Sequence, residues 1–123
     1  MITKHFNTKT NVLEVSYTGT VSTKELLEYL HNLENDKVLP RNLKIFTDSS
    51  NFISTRDTTD VKIVAEAYRK VLMNYTFIIS AFFTDNPRPT ALTTMYKLQM
   101  IGLPNYQFDI FCTKEAALKF LLS

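Results

Sequence analysis

Val61 to Phe83 read VKIVAEAYRKVLMNYTFIISAFF, and the period of the apolar residues changes once within this run. Val61, Val64, Ala65, Tyr68, Val71 and Leu72 recur at helical spacing, with Lys62, Glu66 and Lys70 on the opposite side, which is the pattern of a helix laid on a core. From Tyr75 to Phe83 the periodicity disappears. YTFIISAFF is a nearly unbroken apolar run, too rich in aromatic and β-branched residues for a helix of that length, so it predicts a central strand covered on both faces. A helix leading into such a strand is the repeating unit of an α/β protein with parallel strands.

The same unit recurs on both sides. Upstream, Ile2 to Phe6 and Val12 to Tyr17 are β-rich runs flanking the polar stretch Asn7-Thr8-Lys9-Thr10-Asn11, which predicts two antiparallel strands joined by a short loop. In the second run Leu13, Val15 and Tyr17 alternate with Glu14 and Ser16, a one-sided pattern that suits a sheet edge. Val21-Ser22-Thr23-Lys24-Glu25-Leu26 opens the first helix. The Ser22 hydroxyl is placed to accept from the Glu25 amide, the Glu25 carboxylate to reach back, and Val21 to pack on Leu26. Leu26, Leu30 and Leu33, with Leu27 beside them, form its buried stripe, and Asp36 to Pro40 ends it. Leu43 to Thr47 is the third strand, followed by a loop beginning at Asp48, and Asp57 to Asp60 give the second helix an acidic start.

Downstream, Asp85-Asn86-Pro87-Arg88-Pro89 is a turn and helix start. Ala91, Leu92, Met95, Tyr96 and Gln99 outline a third helix that Gly102 and Pro104 stop. Tyr106 to Phe111 is the last strand, and Thr113 caps a final helix through Leu118, Leu121 and Leu122. The order is ββαβαβαβα, one domain over residues 1–123, with a mostly parallel sheet and an antiparallel N-terminal edge strand. Its strand C-termini gather on one edge, where ligands bind in open α/β sheets. That edge collects Thr18-Gly19, Asp48-Ser49-Ser50, Thr84-Asp85-Asn86 with Arg88, and Cys112-Thr113-Lys114.

Composition narrows the function. The 14 basic and 12 acidic side chains leave a net charge of +2 with no run of one sign, which argues against a nucleic-acid partner. No apolar stretch approaches the ~18–20 residues that span a bilayer, and MITKHFNTKT lacks the apolar segment of a signal peptide, so a cytoplasmic protein without a transmembrane segment is expected. The single cysteine, Cys112, cannot form an internal disulfide. His5 and His31 have neither metal-ligand spacing nor an acid partner, so neither a metal site nor general acid-base work is expected. Nor is there a nucleophile-base pair, and two glycines cannot supply a phosphate-cradling loop. No catalytic residue and no cofactor are expected.

The chain resembles the STAS domain superfamily, and within it the SpoIIAA-like branch of small STAS/SEC14 domain-containing proteins. The resemblance covers nearly the whole chain. It rests on Tyr17-Thr18-Gly19-Thr20-Val21-Ser22 with Leu26-Leu27 after it, a strand ending in Asp48, the strand Phe77 to Phe83, and Phe108 to Phe111 running into Thr113-Lys114-Glu115-Ala116-Ala117-Leu118-Lys119-Phe120-Leu121. It implies the SpoIIAA-like fold and a non-enzymatic role in binding. In the family's anti-sigma-factor antagonists a serine in an Asp-Ser-Ser/Thr-Gly motif is phosphorylated where a strand turns into the second helix. Asp48-Ser49-Ser50 resembles that motif, which makes Ser49 and Ser50 candidate phosphoacceptors. Asn51 stands in place of the glycine, and the helical pattern begins only near Asp57 to Val61, so the serines are expected in a loop.

The residues themselves leave two alternatives open. Asp48, Asn51, Phe52, Asp85, Asn86 and Arg88 form an expected binding-edge loop, yet Asp48 and the serines equally suit a turn that satisfies its own backbone amides. Phe52 and Ile53, with Tyr68, Met73, Met95, Tyr96 and Met100, suit an apolar groove, although helical spacing already explains the helical ones as core. The first expectation is a regulatory or scaffold module acting through a protein partner or as a homodimer, with its surface around Asp48 to Arg56 and no internal cavity. The second is a carrier of a small apolar or lipid-like ligand in an elongated pocket opening near Phe52 and the third helix.

Overall fold

A computed structural model describes residues 1–54, 58–84 and 87–122, and for 51–54, 58–59 and 87–92 it describes the backbone alone. The strands are β1 (Ile2–Asn7), β2 (Val12–Val21), β3 (Asn42–Ser54), β4 (Phe77–Phe83) and β5 (Tyr106–Phe111). The helices are α1 (Thr23–Glu34), α2 (Thr58–Leu72), α3 (Pro87–Gln99) and α4 (Lys114–Leu122). The strands lie side by side in chain order, β1 antiparallel to β2 and every later pair parallel. This is the ββαβαβαβα order and the mixed sheet with an antiparallel N-terminal edge strand that the periodicities predict.

Local chemistry accounts for the element ends. In the β1–β2 turn the Asn7 Oδ1 accepts from the amides of Lys9 and Thr10, and Asn11 takes the left-handed conformation (φ 61°) that asparagine tolerates better than most residues. Ser22 caps α1, its hydroxyl accepting from the Glu25 amide at 3.1 Å. The expected return half of the capping box is replaced. The Glu25 carboxylate accepts instead from the amide of Ile2 at 2.7 Å, which ties the first turn of α1 to the edge strand. At the other end of the chain Thr113 caps α4 by accepting from Ala116.

β-α-β crossovers are right-handed as a rule, so a sheet that always adds its next strand on the same side collects the connecting helices on one face. Accordingly α1, α2 and α3 share one core with Leu13, Val15, Ile45, Ile78 and Phe82, whereas α4 covers the other face through Ala117 and Leu121 against Val12 and Ala81. Three layers result. β4 is buried on both faces as expected, although it lies second from the β5 edge and β3 occupies the middle. β2 is interior too, between β1 and β3. Its one-sided pattern arises because α4 packs on β3, β4 and β5, which leaves Glu14 open to solvent.

The expected loop after Thr47 is strand. β3 continues to Ser54 because β2 also continues, pairing as far as Val21 opposite Ser54, while β4 ends at Phe83 opposite Asp48. Ser16 pairs with Asp48 and Thr18 with Asn51, so Ser49 and Ser50 together oppose the single residue Tyr17 in a β-bulge. Gly19, just beyond, has φ +63°, a conformation that costs a side-chain-bearing residue about 1–2 kcal/mol.

Burial separates structural from dispensable apolar residues. Leu33 of α1 is fully buried, and Leu33→Ala is expected to lower unfolding stability by about 2–5 kcal/mol in urea titration. Val38, 93% exposed, should tolerate alanine within about 0.5 kcal/mol.

Candidate functional site

The strand C-terminal edge was the expected site, and the bulge decides what it offers. The Ser49 hydroxyl is 0% exposed and donates to the carbonyl of Phe83, the last residue of β4, at 2.7 Å. Ser50 donates to the Asp48 Oδ1 through its amide (3.0 Å) and its hydroxyl (2.7 Å). The Asp48 Oδ2 pairs with the Lys114 Nζ at 3.5 Å, joining β3 to the start of α4. Burial pushes the Asp48 carboxyl up, but the Ser50 hydrogen bonds and the Lys114 charge outweigh it and hold the carboxyl below its ordinary value. The Asp-Ser-Ser stretch is therefore a bulge whose polar atoms satisfy one another and the end of β4. A serine must present its hydroxyl to be phosphorylated, and the Ser49 hydroxyl is sealed inside the sheet.

The other edge residues are not brought into a described cluster. Asp85 and Asn86 lie outside the described residues, as do the side chains of Asn51, Phe52 and Arg88. Of the expected apolar groove, the side chains of Phe52 and Ile53 lie outside the described residues, Met73 and Met95 are exposed, and Met100 is core. Tyr68 and Tyr96 belong to a different feature.

That feature is a cavity of about 80 Å³ between the sheet and the helices α1, α2 and α3. The sheet contributes Tyr17, Ile45, Thr47, Ser80, Phe82, Tyr106 and Phe108. The helices contribute Leu26, Tyr29, Leu30, Val61, Val64, Tyr68, Thr93 and Tyr96. Aromatic rings make much of the wall: Tyr68 lies 5.1 Å from Tyr106 and Tyr96 lies 5.1 Å from Phe108, and the Tyr96 and Tyr106 hydroxyls are hydrogen-bonded at 2.9 Å. Among the described residues no charged side chain lines it.

The electrostatics follow from burial. Desolvation, reinforced by neighbouring phenols, pushes the hydroxyls of Tyr29, Tyr68, Tyr96 and Tyr106 well above the ordinary tyrosine pKa, so all four stay neutral at physiological pH. The described walls of the chamber can donate and accept hydrogen bonds but offer no charge. Its polar atoms are also unevenly satisfied. Among the described residues, the hydroxyls of Thr47, Ser80 and Tyr29 have no hydrogen-bond partner, although these residues are only 5%, 4% and 8% exposed.

Sequence reasoning passed over Thr47 and Ser80. The available signal was parity: Thr47 follows Leu43 and Ile45 on the inward face of β3, and Ser80 sits between Ile78 and Phe82 on the inward face of β4. Hydroxyls at two adjacent core positions mark a polar spot in an apolar layer. Among the described residues no three His, Cys, Asp or Glu side chains come together as a metal ion would require, and no helix is long and apolar enough to cross a membrane.

No model of a known protein family matches the sequence, and no curated protein matches it either. Among solved structures, the fold matches the crystal structure of an uncharacterized protein from the DUF3478 family with a SpoIIAA-like fold, from Shewanella loihica PV-4. The two chains are 13% identical over 98% of this chain and 93% of that one, with a TM-score of 0.62. At that identity the likeness is one of architecture: this chain has a SpoIIAA-like fold.

The depressed Asp48 carboxyl has a measurable consequence. A group whose folded pKa lies below its unfolded value stabilises the protein above the unfolded value, near 3.8 for this side chain, and that contribution is lost as pH falls through the folded pKa. Asp48→Asn should therefore be less stable than wild type at neutral pH, by about 1 kcal/mol. The gap should close as urea midpoints are measured from pH 5 downward past 3.8. A gap that stays constant with pH would show that the charge of Asp48 is not what stabilises the bulge.

Proposed function

We propose that this chain is a non-catalytic, cytoplasmic binding module that holds a small uncharged molecule in the cavity between the sheet and α1, α2 and α3. The observation that carries this role is the cavity itself, with its neutral aromatic and hydroxyl lining. Protein interiors pack to crystal density, so a space of about 80 Å³ among core side chains forgoes contacts that close packing would make. A bound molecule recovers that loss. A scaffold that acts only through its surface has no use for such a chamber.

The volume also limits the occupant. Pockets for drug-sized ligands run to about 300–1,000 Å³, several times larger than this one, so a lipid chain does not fit. The exposed free Cys112 agrees with a reducing compartment.

A regulatory contact with a protein partner, or with a second copy, has support of its own on α3 and the turn after it. Leu98 is 64% exposed and Ile101 76% exposed, and both present apolar surface to solvent. If this surface makes a homodimer, Leu98→Glu with Ile101→Glu will reduce the mass in sedimentation equilibrium from two chains to one. An unchanged monomer in both proteins removes the homodimer.

Native mass spectrometry of protein purified from its own host tests the binding role. The expected result is a retained small-molecule mass that is lost in Val64→Trp, where the larger ring fills the cavity from α2. A bare mass under gentle ionisation, or an adduct that Val64→Trp retains, would contradict the role.

A further inference from the structure

We propose that Thr47, Ser80 and Tyr29 make the cavity selective for a compact, uncharged cyclic alcohol, phenol or ketone, recognised through its single oxygen. This rests on the binding role proposed above and adds the chemical class of the ligand.

Size comes first. A water molecule needs about 10–15 Å³ of such space, so 80 Å³ accommodates about five to eight non-hydrogen atoms, the size of one small ring with a substituent. Charge comes second. Among the described residues no charged side chain lines the chamber, so an ion held against these walls would lose its hydration with nothing there to replace it. The ligand is neutral.

The polar positions supply the third criterion. Thr47 and Ser80 stand on neighbouring strands and on the same face of the sheet, since Ile45 pairs with Ser80 and Thr47 with Phe82. Tyr29 reaches the same space from α1. All three residues are more than nine-tenths buried, and none of their hydroxyls has a hydrogen-bond partner among the described residues. A buried hydroxyl without a partner is unfavourable by about as much as a lost hydrogen bond, roughly tenfold in an equilibrium constant. Three such groups around one small chamber are therefore better explained by an occupant than by packing. Hydroxyls both donate and accept, so they suit a single oxygen of either kind. Around them, the rings of Tyr17, Phe82 and Phe108, with centroids 6.0 and 6.4 Å apart in successive pairs, offer edges and faces to the apolar body of the ligand.

A purely structural role for these hydroxyls predicts the opposite effect on stability. If Ser80 serves packing, Ser80→Ala lowers the melting temperature. If it waits for a ligand, removing an unpaired hydroxyl raises it in the free protein while weakening recognition.

The test titrates the full-length chain at neutral pH with phenol, toluene and benzoate, following backbone amide resonances. Wild type should bind phenol at least about tenfold more tightly than toluene and leave benzoate unbound. In Thr47→Val with Ser80→Ala the preference should shrink to within about twofold, and the free double variant should melt at a higher temperature than wild type. Equal affinity for phenol and toluene in wild type, or a preference that survives both substitutions, would overturn the selectivity and leave the binding role standing. If neither ring perturbs any resonance from the cavity wall, the binding role falls with it.

Discussion

The constraint on which the rest of the structure depends is that each parallel strand joins the sheet on the same side as the one before. Right-handed crossovers then bring α1, α2 and α3 to a single face, and α4 alone returns to cover the other. A doubly wound sheet reverses direction partway and opens a crevice between two strands at the reversal, which is where its ligands sit. This sheet never reverses, so it has no such crevice. The cavity arises instead between layers, where three helices converge over the sheet and large aromatic rings must interlock. They do so incompletely, and the gap falls beside Thr47 and Ser80.

The bulge in β3 belongs to the same geometry. β2 runs on past the end of β4, and β3 follows it, so the Phe83 end of β4 is left beside a strand that continues without it. The Ser49 hydroxyl takes the Phe83 carbonyl, and the extra residue that places it there is accommodated opposite Tyr17. Asp48 then holds Ser50 on one side and Lys114 on the other, fastening β3 to α4. An Asp-Ser-Ser sequence at this point of a SpoIIAA-like fold can thus serve the sheet directly. Its acid and hydroxyls form short hydrogen bonds within the fold.

The parts of the fold legible in the sequence are those in which one period persists over many residues. The α2 stripe from Val61 to Leu72 and the doubly buried run to Phe83 were readable because burial on one or two faces leaves a periodic record, and the Ser22 cap because its partner is three residues away. The strand character of DSSNFIS was not readable. Aspartate, serine and asparagine are weak strand formers, and what holds them extended is the continuing partner strand β2. The return half of the Ser22 cap failed for a similar reason, since the Ile2 amide competes for Glu25 from another element. The cavity was least legible of all. Parity places Thr47 and Ser80 inward, but only three-dimensional packing decides whether an inward hydroxyl meets a carbonyl, as that of Ser49 does, or faces open space.

Whether Thr47 and Ser80 face an occupied chamber is the central claim, and a high-resolution crystal structure of the protein purified from its own host tests it most directly. The account predicts density for a compact non-protein group between β3, β4 and α1, with an atom within hydrogen-bond reach of the Thr47 or Ser80 hydroxyl. Phe82 and Phe108 closed over that space, with both hydroxyls bonded to neighbouring carbonyls, would contradict it.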